Sequence, residues 1–122
     1  MRQKILIVED DKQLCEMIKF ILTREGYNVE VSHSGKEAIN KLQVFTPHLI
    51  ILDIMLPEID GWQIQELLRA DAKTSHIPVI VLTSRNFIKD IDKAFSLGAT
   101  AYITKPFSIE KLVKKVKSLL QK

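Results

Sequence analysis

Short unbroken apolar runs recur along this chain, and each ends on a charged or hydroxyl residue. Ile5-Leu6-Ile7-Val8 stops at Glu9-Asp10-Asp11, and Leu49-Ile50-Ile51-Leu52 stops at Asp53. Val79-Ile80-Val81-Leu82 stops at Thr83-Ser84, and Ala101-Tyr102-Ile103-Thr104 runs into Lys105-Pro106. Runs of this length, rich in Val and Ile and without polar alternation, fit strands covered on both faces of a parallel sheet. Between them, apolar residues return at helical spacing. The pattern predicts five βα units, with strands near 4–8, 28–32, 48–53, 78–83 and 100–104. The helices fall near 12–24, 35–44, 61–70, 87–97 and 108–120.

Punctuation supports these limits. The first helix is expected to bury Leu14, Met17, Ile18, Ile21 and Leu22 and to end at Gly26, which tolerates the left-handed cap conformation. Asp11 is placed to cap that helix, and Ser34 with Glu37 forms a capping box for the second. Asp60 with Gln63 opens the third, Gly98 closes the fourth and Ser108 caps the fifth. Right-handed crossovers leave few topologies, and the strand order 2-1-3-4-5 fits best: an α/β, flavodoxin-like three-layer sandwich. In that order strands 1 and 3 are neighbours. Asp10 and Asp53 then lie side by side, with Thr83 and Lys105 flanking them at the carboxyl edge, where such sheets bind ligands.

Composition narrows the class. The 122 residues suit one domain over 1–122, 46% hydrophobic and 27% charged. No run approaches the ~18–20 apolar residues that span a bilayer, so no membrane contact is expected. Met1-Arg2-Gln3-Lys4 leads straight into a strand, so no signal peptide is expected. A lone Cys15 cannot form an internal disulfide, which agrees with a cytoplasmic location. The net charge of +3 comes largely from Lys111, Lys114, Lys115, Lys117 and Lys122. They interleave with Leu112, Val113, Val116, Leu119 and Leu120, so they read as the wet face of a helix, with no direct nucleic-acid partner.

The chemistry is in the strand ends. Crowded carboxylates at Glu9, Asp10 and Asp53 repel, and need a cation or a raised proton affinity. An all-oxygen donor set without His or Cys in a shallow cleft suits Mg²⁺. Lys105 adds a fixed positive charge and Thr83 a hydroxyl donor, which together make a site for an incoming phosphoryl group. An Asp carboxylate can be the nucleophile, giving an acyl phosphate.

ILIVEDD, LIILDIMLP, VIVLTS and AYITKPF, in this order and spacing, resemble the receiver domain of bacterial response regulators over essentially the whole chain. The resemblance implies Asp53 as phosphoacceptor, taking phosphate from a phosphohistidine on a sensor histidine kinase or phosphotransfer protein. It implies Mg²⁺ on Asp10, Asp53 and the backbone carbonyl of Met55, with Glu9 acting through water. Thr83 and Lys105 would contact the phosphoryl oxygens, Tyr102 would be the aromatic switch, and the bond before Pro106 would be cis. The output would be the face of helix 4, strand 5 and helix 5, read by a downstream effector protein or domain. The domain would assist its own phosphorylation and dephosphorylation without being an enzyme in the ordinary sense. Met55 and Arg85, two residues beyond Asp53 and Thr83, are expected to screen the acyl phosphate from water and slow its loss.

Rivals fare worse. An aspartyl-phosphate phosphohydrolase would need a second Asp where Met55 stands, and a flavodoxin-like carrier would not place Glu9-Asp10-Asp11 against a flavin phosphate. A phosphorylation-independent protein-binding module with the same fold is the alternative reading, but none of the key residues is missing. Thr100-Ala101 replaces the two acids that many receivers attached to DNA-binding domains use to dimerise. That absence argues against this mode for a phosphorylation-dependent homodimer, and fits a stand-alone receiver or one from a different architecture. The histidines carry no expected role: His48 and His76 precede strands, and His33 is expected at the far side. Trp62 is expected to pack over helix 3.

Overall fold

The computed structural model describes residues 2–121; Met1, and Lys122 from the lysine set above, lie outside them. Five strands, β1 (Lys4–Val8), β2 (Asn28–Ser32), β3 (Leu49–Leu52), β4 (Val79–Thr83) and β5 (Ala101–Thr104), alternate with five helices. The helices are α1 (Lys12–Arg24), α2 (Gly35–Val44), α3 (Gly61–Ala70), α4 (Ile88–Ser96) and α5 (Ile109–Leu120). The strands form one parallel sheet in the order β2-β1-β3-β4-β5, as the pattern predicts.

Alternation along each strand divides the core between two faces. Ile5, Ile7, Leu49, Ile51, Ile80 and Leu82 pack with α1 and α5 residues such as Ile18 and Val116. Leu6, Val8, Ile50, Leu52, Val79 and Val81 pack with Ala38, Ile64 and Ala94 of α2, α3 and α4. The unbroken apolar runs follow directly, because every position faces one helical layer or the other.

The caps mostly behave as expected. Asp11, Asp60 and Ser108 accept from the backbone N–H groups of Leu14, Gln63 and Lys111. Asp60 and Gln63 complete a full reciprocal box. Ser34 accepts from the Glu37 N–H, but the Glu37 carboxylate reaches back to the N–H of His33, so the predicted box is only half closed. Gly26 and Gly98 end α1 and α4 at φ 102° and 100°. Among these helices α4 alone lacks a side-chain cap, with Phe87 at its N-cap position.

One core assignment is corrected. Met17 is 42% exposed, while Cys15 is buried with Ile18 and Leu22. Each helical residue turns about 100°, which puts Met17 to one side of the stripe and Cys15 inside it. Gly61 starts α3 against the chain that leaves β3: a Cβ there would lie 2.5 Å from Ile54 Cα and 2.8 Å from the Asp53 carbonyl oxygen. That close approach brings α3 up to the strand end carrying the candidate nucleophile.

Candidate functional site

The ladder continues one residue past the strand ends, and this positions the acids. The Glu9 N–H donates to the Ser32 carbonyl at 3.0 Å and the Asp53 N–H to the Val8 carbonyl at 3.0 Å. The Lys105 N–H donates to the Thr83 carbonyl at 2.8 Å. Glu9, Asp53 and Lys105 therefore leave one rim of the sheet with their backbones already fixed.

Their side chains meet. Lys105 Nζ donates to Glu9 Oε1 at 2.6 Å and to Asp53 Oδ2 at 3.0 Å. The second oxygen of each acid is also engaged: Glu9 Oε2 accepts from the Asp11 N–H at 3.1 Å, and Asp53 Oδ1 from the Met55 N–H at 2.9 Å. Asp10 is exposed and completes a triad in which one carboxylate oxygen from each of Glu9, Asp10 and Asp53 lies within 4.8 Å of the others. Burial raises the proton affinity of Glu9 and nearby Asp53 adds to this, while bonds to Lys105 and Asp11 oppose it. Burial alone would lower the Lys105 pKa, but its bonds to Glu9 and Asp53 hold it above the usual value, so the ammonium stays charged. The ammonium sits where a polyvalent cation would be welcome, and the donors around it are all hard oxygens.

Thr83 ends β4 fully buried, and its Oγ1 accepts from the Arg85 N–H at 3.4 Å. Tyr102 is paired in register with Val81 and packs on the α2–α3–α4 face. Its hydroxyl donates to the Arg85 carbonyl at 2.6 Å. Met55 is half exposed and its sulfur accepts from the Ser84 hydroxyl at 3.3 Å. The Lys105–Pro106 bond is cis, as the motif implies. The fold thus brings Glu9, Asp10, Asp53 and Lys105 into one cluster, and sets Thr83 and Tyr102 beside it on the other face of the sheet.

Three neighbours were not anticipated. His33 does not lie at the far side. Because β2 borders β1, its Nδ1 stands 3.1 Å from the Glu9 carbonyl oxygen and can donate to it. The Cys15 thiol donates to the same carbonyl at 3.2 Å, so two side chains hold the backbone of one acid. Burial pushes that thiol up to about 12, leaving it a protonated packing group. Arg85 has a partner the motif does not name, Asp90 on α4, at 2.9 Å. The remaining expectations stand nearer the surface: His48 accepts from the Lys4 N–H at the opposite edge, and Trp62 has Lys93 of α4 4.7 Å over its ring. A groove of about 500 Å³ between α2 and the end of α3 contains none of the candidate residues.

Residues 5–117 match the family model of the response regulator receiver domain. The chain is 40% identical over 119 residues to the transcriptional regulatory protein TrcR of Mycobacterium tuberculosis, covering 98% of this chain and 46% of TrcR. It spans about half the length of the curated relatives it matches. Among solved structures it is similar to the signal receiver domain of a histidine kinase from Syntrophus aciditrophicus, at 38% identity and TM-score 0.89, covering 97% of this chain and 89% of that one. It is also similar to the receiver domain of the sensor histidine kinase PA1611 from Pseudomonas aeruginosa, at 26% identity and TM-score 0.89 over 100% of both chains. That domain was determined with a magnesium ion coordinated in its active site cleft.

Proposed function

This chain belongs to the response regulator receiver domain family, and on that premise we propose that Asp53 is its phosphoacceptor. The observation that carries the reading is the clasp on Asp53: Lys105 holds one carboxylate oxygen and the Met55 N–H the other, beside two further acids. A carboxylate so fixed is oriented before a donor arrives. Its oxygen attacks the phosphorus of a sensor-kinase phosphohistidine. The P–N bond breaks, its electron pair stays on the imidazole nitrogen, and the phosphoryl group ends as an acyl phosphate on Asp53.

The acids of Glu9, Asp10 and Asp53, with the Met55 carbonyl oxygen, would hold Mg²⁺, Glu9 acting through water. When bound, the ion supplies charge neutralisation for the attacking carboxylate and the phosphoryl oxygens. The oxygen-only donor set and the raised proton affinity of Glu9 both fit a missing positive charge, and the magnesium-bearing PA1611 domain supports the choice of ion. Lys105 neutralises a phosphoryl oxygen from its place on Asp53, and Thr83 approaches another through its hydroxyl.

The added group brings up to about two negative charges and three acceptor oxygens. Thr83 moves toward it, Tyr102 turns into the vacated space, and the surface of α4, β5 and α5 is repacked for a downstream partner. Met55 screens the acyl phosphate and slows its hydrolysis. The domain acts in the cytoplasm as a phosphorylated signal carrier rather than as an enzyme. No direct nucleic-acid or membrane contact is proposed for it: Lys111, Lys114 and Lys115 are exposed on α5, interleaved with its buried apolar stripe. Transcriptional control of the kind TrcR's name states would lie in further sequence.

The test is direct. With Mg²⁺ and acetyl phosphate, intact mass should show one phosphoryl adduct that Asp53→Asn abolishes and chelation prevents. An adduct that survives Asp53→Asn would move the acceptor elsewhere.

A further inference from the structure

Glu9 and Asp10 are consecutive, so a single peptide group joins two of the three acids of the cluster. The Glu9 carbonyl and the Asp10 N–H share one plane, and a planar peptide turns as a unit. Turning it re-aims both carboxylates together. Crowded carboxylates repel, so without a cation they are driven apart. Lys105 and the Asp11 N–H hold the Glu9 carboxylate, whereas Asp10 is exposed and is aimed chiefly by its backbone.

Three elements converge on that peptide. The Glu9 N–H still follows the ladder, donating to the Ser32 carbonyl of β2. Its carbonyl oxygen leaves the ladder and meets two side-chain donors instead. The Cys15 thiol of α1 lies 3.2 Å away, and His33 Nδ1, one residue past β2, lies 3.1 Å away. A carbonyl oxygen has two lone pairs and can accept from both. Because that oxygen cannot donate, the contact places the ring proton of His33 on Nδ1. Both donors are themselves fixed. The His33 N–H donates to the Glu37 carboxylate at 3.1 Å, and Cys15 is 1% exposed within the core stripe of α1.

We propose that His33 and Cys15 are positioning residues of the cation site, clamping the Glu9–Asp10 peptide so that both acids face one ion before it arrives. The inference rests on the Mg²⁺ reading of Glu9, Asp10 and Asp53, and adds two residues that act through the backbone alone. Groups that orient metal ligands in this way commonly set affinity by about tenfold or more. Two donors share one acceptor here. Losing one leaves the carbonyl half held, and losing both frees it.

The experiment measures Mg²⁺ dissociation constants by calorimetry, with no phosphate donor present. It compares wild type, His33→Leu, His33→Asn, Cys15→Ala and the double variant of His33→Leu with Cys15→Ala. His33→Leu and Cys15→Ala should each weaken binding about threefold, and the double variant about tenfold or more. His33→Asn should bind like wild type, because an Asn amide nitrogen can donate from the place of Nδ1. A ring that merely fills space would show no such rescue. In the metal-free proteins the Glu9 carbonyl carbon-13 resonance should move upfield as donors are lost, and stay in place in His33→Asn. Equal affinity in wild type and the double variant, or an Asn variant as weak as the Leu one, would overturn the clamp. His33 is half-buried, so its Leu and Asn variants carry the test even if the double variant fails to fold. A wild type that binds no Mg²⁺ overturns the cation reading, whereas the Glu9 resonance, read without metal, judges the hold on the peptide by itself.

Discussion

Asp53 and Asp90 are buried to nearly the same degree, 5% and 4% exposed, yet their surroundings are opposites. Both oxygens of Asp53 are held, by an ammonium that also binds Glu9 and by the Met55 N–H of the loop after β3. Asp90 has one oxygen on a half-exposed guanidinium and the other on nothing. A buried charge with every valence met is rigid and costly to disturb, whereas one half met is cheap to release. Asp53 is of the first kind and Asp90 of the second.

The largest test of this contrast is Lys105→Met. It strands two buried acids and should cost about 2–4 kcal/mol of unfolding free energy at pH 7 without metal, by denaturant titration. Mg²⁺ should return much of that loss. Gly61→Ala comes next, since its methyl would press on the Ile54 backbone. A loss of about 1–3 kcal/mol is expected, with slower adduct formation because the chain beside Asp53 shifts. At the loose end, Phe87→Asp should supply the absent cap, adding about 1 kcal/mol and slowing exchange in the first turn of α4.

The acid corner has a pH signature. Because the Glu9 value is raised in the fold, chelated protein should gain stability as pH falls from neutral toward 4.5, where the folded form binds more protons than the unfolded. Glu9→Gln should flatten that slope, read by denaturant titration across the same pH range; an unchanged slope would mean that Glu9 is not the group responsible. The smallest effect is at Glu58, a non-glycine residue at φ 63° in the loop before α3. Glu58→Gly should be neutral or stabilising by a few tenths of a kcal/mol.

Most of the frame was readable because both faces of the sheet are covered, so each strand is a bare apolar run whose end is marked by its first polar residue. The same rule delivered Glu9, Asp10, Asp53, Thr83 and Lys105, since a site on the rim of a parallel sheet is written in the residues that terminate strands. Contacts made by side-chain direction were less legible. That His33 and Cys15 both bind the Glu9 carbonyl depends on how β2 and α1 flank β1, and no spacing encodes it. Arg85 and Asp90 are only five residues apart, yet nothing in that spacing pairs them until the turn of α4 buries one of them. Met17 was misplaced because a hydrophobic residue beside a helical stripe looks like part of it.

Lys105 is separated from Glu9 by 96 residues and from Asp53 by 52, although the three side chains touch. A ribosome making this chain releases the two acids long before their counter-charge. Until β5 has emerged and docked, a growing chain carries these acids without the ammonium that pairs them. The order of synthesis therefore makes the pairing of Glu9 and Asp53 with Lys105 one of the last contacts the chain can form.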